Sequence, residues 1–125
     1  MNQPFSGRYR ARCTHVVDGD TIDVTVDLGF HLTATMRLRL WGVNTPEMHD
    51  KDPGIRKKAA EAKEYTLLCM PPHKGEEWPL SIETLKDPDV FGRWLAKVWY
   101  ADATEVTHFL NDELVSTGLA VEFMR

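Results

Sequence analysis

From Thr21 to Leu40 apolar and polar residues alternate almost without interruption, with one break at Gly29-Phe30. In TIDVTVDL, residues 21–28, Ile22, Val24, Val26 and Leu28 fall on one side, and Thr21, Asp23, Thr25 and Asp27 on the other. In HLTATMRLRL, residues 31–40, Leu32, Ala34, Met36, Leu38 and Leu40 share a face. A period of two sends every second side chain to the same side of an extended chain, so both runs read as strands with one buried face. Residues 8–17, ending in Val16-Val17, read as a strand before them. Three strands joined by short turns make an antiparallel meander.

The period then changes. Between 53 and 70, Ile55, Ala59, Ala62, Thr66 and Cys69 follow helical spacing; Pro53 suits a first turn and Pro71-Pro72 a stop. PHKGEE is a loop, WPLSIETL (78–85) a fourth strand, KDPDVFG (86–92) turn-rich, and RWLAKVWYA (93–101) a fifth strand. Residues 106–117 predict a second helix with Val106, Phe109, Leu110 and Leu114 on its inner face and Gly118 as its stop. The order β-β-β-α-β-β-α predicts an α+β protein, mainly β, folded as a five-stranded Greek-key barrel of the OB type with two helices. At 125 residues, with no repeat or linker, the chain is expected to form a single domain, 1–125.

A net charge of −4 argues against indiscriminate polyanion binding, which usually needs a basic domain. The charge is uneven, however. Arg8, Arg10 and Arg12 cluster early, Lys51, Arg56, Lys57 and Lys58 cluster in the middle, and the last 25 residues are acidic. Cys13 and Cys69 fit neither a zinc spacing nor a disulfide framework, and the five histidines show no metal-ligand spacing. The four tryptophans read as packing residues before base-stacking platforms. MNQPFSGRYR has no apolar leader core and no run reaches membrane-spanning length, so a cytoplasmic monomer is expected.

Two places are chemically unusual. DGDT, 18–21, is by itself a plain hairpin turn. Arg39 followed by Asn44-Thr45-Pro46-Glu47 is by itself a strand end and a proline turn. In a meander, the start of the second strand lies near the end of the third, so Asp20 and Asn44 can converge at one barrel mouth. That pair offers hard oxygen donors suited to calcium. Glu47 can hold a water, and Arg39 with Arg93, just after Gly92, can complete a phosphate site.

These motifs together resemble the staphylococcal-nuclease-like (thermonuclease) family. VVDGDT at 16–21, RLWGVNTPE at 39–47, FGR at 91–93 and LVSTGLA at 114–120 follow the family's pattern in order. The resemblance implies the OB barrel and a calcium-dependent phosphodiesterase acting on single-stranded or loosened DNA and RNA, leaving 3′-phosphate products. It implies one calcium ion held by Asp20, Asn44 and the Thr45 carbonyl, with Glu47 as general base and Arg39 and Arg93 on the scissile phosphate. Phe91, where the family prototype has tyrosine, and Lys51 are expected at the edge of the substrate. Asn44 replaces a carboxylate, which predicts weaker calcium binding. The alternative is a catalytically weak or inactive OB-fold module for nucleic-acid binding or protein interaction.

Overall fold

The computed structural model describes residues 7–71, 77–87 and 89–123. Most of the N-terminal stretch read for a leader, most of the PHKGEE loop, Pro72, Pro88 and the last two residues lie outside the described residues. The elements are β1 (Arg8–Asp18), β2 (Thr21–Gly29), β3 (Leu32–Leu40), β4 (Val43–Asn44), α1 (Pro53–Cys69), β5 (Leu80–Lys86), β6 (Arg93–Ala101), β7 (Thr107–Phe109), α2 (Leu110–Ser116) and β8 (Val121–Glu122).

The strands run β3-β2-β1-β5-β6-β7, and β6 also pairs with β3 in parallel, closing five of them into a barrel. The period-two expectation holds in its middle: Ile22, Val24, Val26 and Leu38 are buried with Ala11, Ile82 and Val98. It fails toward the β2–β3 hairpin, where Leu28 is 46% and Leu32 60% exposed. There the hairpin runs past the barrel end, and alternation has no core left to face. The turn is centred on Phe30 (φ 55°) and His31 (φ 60°), between the paired Gly29 and Leu32. Two left-handed residues match the right-handed twist of the strands, a geometry that glycine or asparagine usually supplies.

Asp52 caps α1 by accepting the Gly54 N–H at 2.8 Å, with Pro53 in the first turn. The helix lays Ala59, Ala62 and Thr66 on the barrel. The predicted helix 106–117 is shorter and differently begun. Val106 is 53% exposed, Thr107–Phe109 adds a strand to β6, and α2 starts only at Leu110. Pairing outweighs helical spacing here because the Phe109 ring stacks on Trp99 and the His108 ring on Tyr100 across the ladder. Likewise the fourth strand starts at Leu80, after Trp78-Pro79.

Asn111, fully buried in α2, closes the seam. Its Oδ1 accepts the Val98 N–H at 3.0 Å, and its Nδ2 donates to the carbonyls of Trp41 at 2.8 Å and Ala96 at 3.0 Å. Asn111→Ala is expected to lower the unfolding free energy by roughly 2–5 kcal/mol, because buried backbone groups lose their partner at ~1–3 kcal/mol each. Urea denaturation measures this; a loss under ~1 kcal/mol would mean water replaces the amide.

His108 lies between two carboxylates, with Nε2 2.7 Å from Asp102 and Nδ1 3.0 Å from Glu113. The Asp102 hydrogen bond and the charge of Glu113 hold its pKa above the ordinary 6.5, against partial desolvation. A raised folded pKa means that protonated His108 stabilises the fold below the unfolded value, and that this contribution fades as pH rises through the folded pKa. The imidazole should therefore titrate above 6.5 by NMR. His108→Asn should flatten the decline of Tm with pH in that window; a midpoint at or below 6.5 contradicts the bracket.

Candidate functional site

The turn between β1 and β2 is pressed onto α1. A Cβ on Gly19 would stand 2.8 Å from the Ala62 Cβ and 2.9 Å from its backbone carbon, so only glycine fits. The Thr66 hydroxyl donates to the Gly19 carbonyl at 2.7 Å. DGDT is thus a hairpin turn and also a helix-docking point, which anchors the next residue, Asp20.

Asp20 is 7% exposed and both its carboxylate oxygens accept hydrogen bonds. Oδ1 takes the Thr21 hydroxyl at 3.0 Å and Oδ2 the Thr45 N–H at 3.1 Å, while its backbone carbonyl takes the Leu40 N–H at 2.8 Å. Arg39 Nη1 lies 3.2 Å from Asp20 Oδ2 and donates to the Val43 carbonyl at 2.8 Å; Nη2 donates to Asn44 Oδ1 at 3.1 Å. One guanidinium therefore gathers Asp20, Val43 and Asn44. Of its five N–H donors, Nε and one Nη2 proton are not used in these bonds, and they form an edge that suits two phosphate oxygens.

Arg93 opens β6. Its Nε donates to Asp87 Oδ2 at 2.8 Å, leaving both Nη groups for another acceptor. Burial pushes the Asp87 carboxyl up, but the Asp89 N–H and the Arg93 guanidinium outweigh it, so it lies below the usual carboxylate value. Asp87, which the sequence reading did not single out, thus holds Arg93 in place; only its place in a turn six residues before Arg93 hinted at this. Parallel pairing sets Arg39 beside Leu95, and Arg39 and Arg93 line one cleft of about 490 Å³ with Trp41, Leu95 and Phe123.

Of the predicted site residues, Asp20, Arg39, Asn44 and Thr45 meet in one hydrogen-bonded cluster, and Arg93 shares the cleft with Arg39. Glu47 is exposed two residues past buried Thr45, its carbonyl accepting the Asp50 N–H at 3.3 Å. Lys51 is exposed just ahead of α1, and Phe91, in the β5–β6 turn, is 98% exposed. None of these three lines the cleft.

Among the described residues no three His, Cys, Asp or Glu side chains group as a metal site. The oxygens of Asp20 and Asn44 nevertheless converge on one cation, the Arg39 guanidinium. Their chemistry suits a hard ion that fills its remaining positions with carbonyl oxygen or water. In this arrangement Thr45 turns its N–H, rather than its carbonyl, toward Asp20.

Gly19→Ala is expected to cost about 1–3 kcal/mol of stability, since α1 must shift to admit the methyl group. Thermal unfolding tests it; an unchanged Tm would show that α1 does not press on the turn.

No curated protein matches the chain significantly. The profile of the staphylococcal nuclease homologue family matches residues 37–125, well over half of the chain. That span holds both cleft arginines, Asn44, Glu47 and the Asn111 seam; Asp20 lies before it and joins the site through its hydrogen bonds. Barrel, cleft and profile agree, and the chain belongs to the staphylococcal nuclease homologue family, whose domain points to a nuclease-related or nucleic-acid-binding role.

Proposed function

We propose that this protein is a calcium-dependent phosphodiesterase that cleaves DNA or RNA to 3′-phosphate products. The observation that carries the reading is the shared cleft: two arginines 54 positions apart, one from β3 and one from β6, line it together, and Arg39 also reaches the buried Asp20 carboxylate. Each keeps guanidinium protons for a further acceptor, which suits the charge that builds on phosphate oxygens in the transition state.

In this reading Asp20, Asn44 and the Thr45 carbonyl would hold the calcium ion. When bound, the ion neutralises charge at the phosphate. Arg39 then gives up its bonds to Asp20 and Asn44 and turns its fork to the phosphate. Arg93, held at Nε by Asp87, binds a second phosphate edge. Glu47, free to reorient on the surface, takes or orients the proton of the attacking water. Lys51 and Phe91 make outer contacts with the strand. A binding module without turnover is the second reading. It is favoured by one observation: Asp20 is the sole carboxylate in the cluster, and both its oxygens are already bonded.

The test is incubation with denatured DNA and with RNA, in calcium, in magnesium or in chelator. Calcium-dependent cleavage is expected, and it should be abolished by Glu47→Ala. Arg39→Ala and Arg93→Ala should each lower kcat by ~10²–10³, the usual loss for one transition-state donor. Arg37→Ala should stay near the parent, because Arg37 is spent on Asp23 at 2.8 Å, outside the cleft. Equal losses for Arg37 and Arg93 would remove the assignment; binding without cleavage in any metal would establish the module.

A further inference from the structure

We propose that the outer face of β6, β5 and β1 is a track for several nucleotides of unpaired nucleic acid, leading away from the arginine cleft. The inference rests on the nucleic-acid reading of that cleft and extends it to how the substrate is held.

The face follows from strand alternation. On β6, Ala96, Val98 and Tyr100 point into the core, so Arg93, Leu95, Lys97 and Trp99 point out. On β1, Ala11 is buried, and Arg8, Arg10 and Arg12 lie on the opposite side. Register aligns the two rows across β5: Arg8 is level with Glu83 and Lys97, and Arg10 with Ser81 and Trp99. From Arg93 to Trp99 the row is about 20 Å long at ~3.3 Å per residue.

Along this row cations and rings alternate. Trp41, in the wall of the cleft, is faced by Lys97 Nζ at 4.9 Å from its centroid. Trp99 is faced by Arg8 at 4.3 Å and stacked with Phe109 at 4.9 Å. Beyond it, Arg12 lies 4.5 Å over Trp78. A hollow of about 320 Å³ lined by Arg10, Arg12, Phe30, His31 and Trp78 continues from there. Five cations (Arg8, Arg10, Arg12, Arg93 and Lys97) share this face and the cleft at its end with Glu83, Asp27, Asp87 and Asp89. A local positive excess on a chain of net charge −4 is selective. It favours an anionic strand along one path, while the acidic last 25 residues repel polyanions from their own surface.

The chemistry identifies the occupant. Phosphates need cations at intervals, and splayed bases need ring or guanidinium planes on which to stack. Both recur here along one line that starts at the phosphate cleft. A duplex keeps its bases stacked on each other and cannot use the planes. OB barrels commonly bind strands over the faces of β2 and β3; here the aromatic and cationic groups are on β1, β6 and β7, with Trp41 just after β3 and Trp78 just before β5.

Anisotropy titrations in chelator separate binding from cleavage. The probes are labelled dT3, dT12 and a 12-base-pair duplex. The parent should bind dT12 at least tenfold tighter than dT3, and tighter than the duplex. Trp99→Leu, and separately the double variant Arg8→Gln/Lys97→Gln at an exposed and a partly exposed position, should collapse the dT12-to-dT3 ratio toward one. Lys57→Gln/Lys58→Gln on α1 removes equal charge elsewhere and should leave the ratio unchanged.

Equal binding of dT12 and duplex would overturn the track in favour of a plain phosphate patch. A length gain that survives both track variants would also overturn it. Calcium-dependent cleavage with no length gain refutes the track and leaves the hydrolase; length-dependent binding without cleavage does the reverse.

Discussion

The parallel pairing of β3 with β6 is the constraint on which the rest depends. An open antiparallel sheet has two free edges, and this one closes on itself by joining β3 to β6, with only the three-residue β7 left at its margin. The joint is short, from Arg37 opposite Arg93 to Leu40 opposite Ala96. Past it the Trp41 N–H still donates to the Ala96 carbonyl at 2.8 Å, while the Trp41 carbonyl and the Val98 N–H turn to a side chain. Asn111 supplies both a donor and an acceptor from the first turn of α2. An apolar residue of the same size would fill the space and satisfy none of them. The seam also decides the chemistry, because joining these two strands is what sets Arg39 and Arg93 on one cleft.

A second constraint fixes the cluster behind Arg39. Asp20 is buried, and a buried carboxylate without partners is costly by several kcal/mol. Three groups partner it: the Thr21 hydroxyl from its own hairpin, the Thr45 N–H from beyond β4, and the Arg39 guanidinium. The turn that carries it is held in turn by α1, through the close approach at Gly19 and the bond from Thr66. Helix, hairpin and β4 therefore meet at one side chain. A displacement of any of them is felt at the oxygens that face Arg39.

Much of this was legible in the sequence, and the gaps have physical causes. Period-two patterning gave β2 and β3 because a barrel wall has one dry side; it overreached at Leu28 and Leu32, where the wall extends beyond the core. The family motifs placed Asp20, Arg39, Asn44 and Thr45 correctly enough to meet. They could not show that Arg39 bonds the two oxygens expected to hold an ion, since that is a matter of side-chain direction. Helical spacing at 106–117 misassigned Thr107–Phe109, because cross-strand stacking of Phe109 on Trp99 is a long-range interaction that local spacing does not contain. Asn111 and Asp87 read as ordinary polar residues; their partners are backbone groups and an arginine brought near only by closure.

The position of Arg39 has a consequence for how the site can work. A guanidinium on Asp20 and Asn44 neutralises the buried charge with a group the chain carries itself, so assembly of the cluster does not wait for an ion. The same contacts then oppose any cation that seeks those oxygens, and that opposition is relieved only if Arg39 has somewhere better to point. A phosphate in the cleft offers such a place, with two acceptor oxygens against one carboxylate and one amide. Ion and phosphate would then each favour the other without touching, by displacing and accepting the same side chain, and reciprocity of linked equilibria requires the effect to be equal in both directions. The amide of Asn44 carries no charge, so it holds the guanidinium less tightly than a carboxylate would and leaves Arg39 easier to draw toward a phosphate.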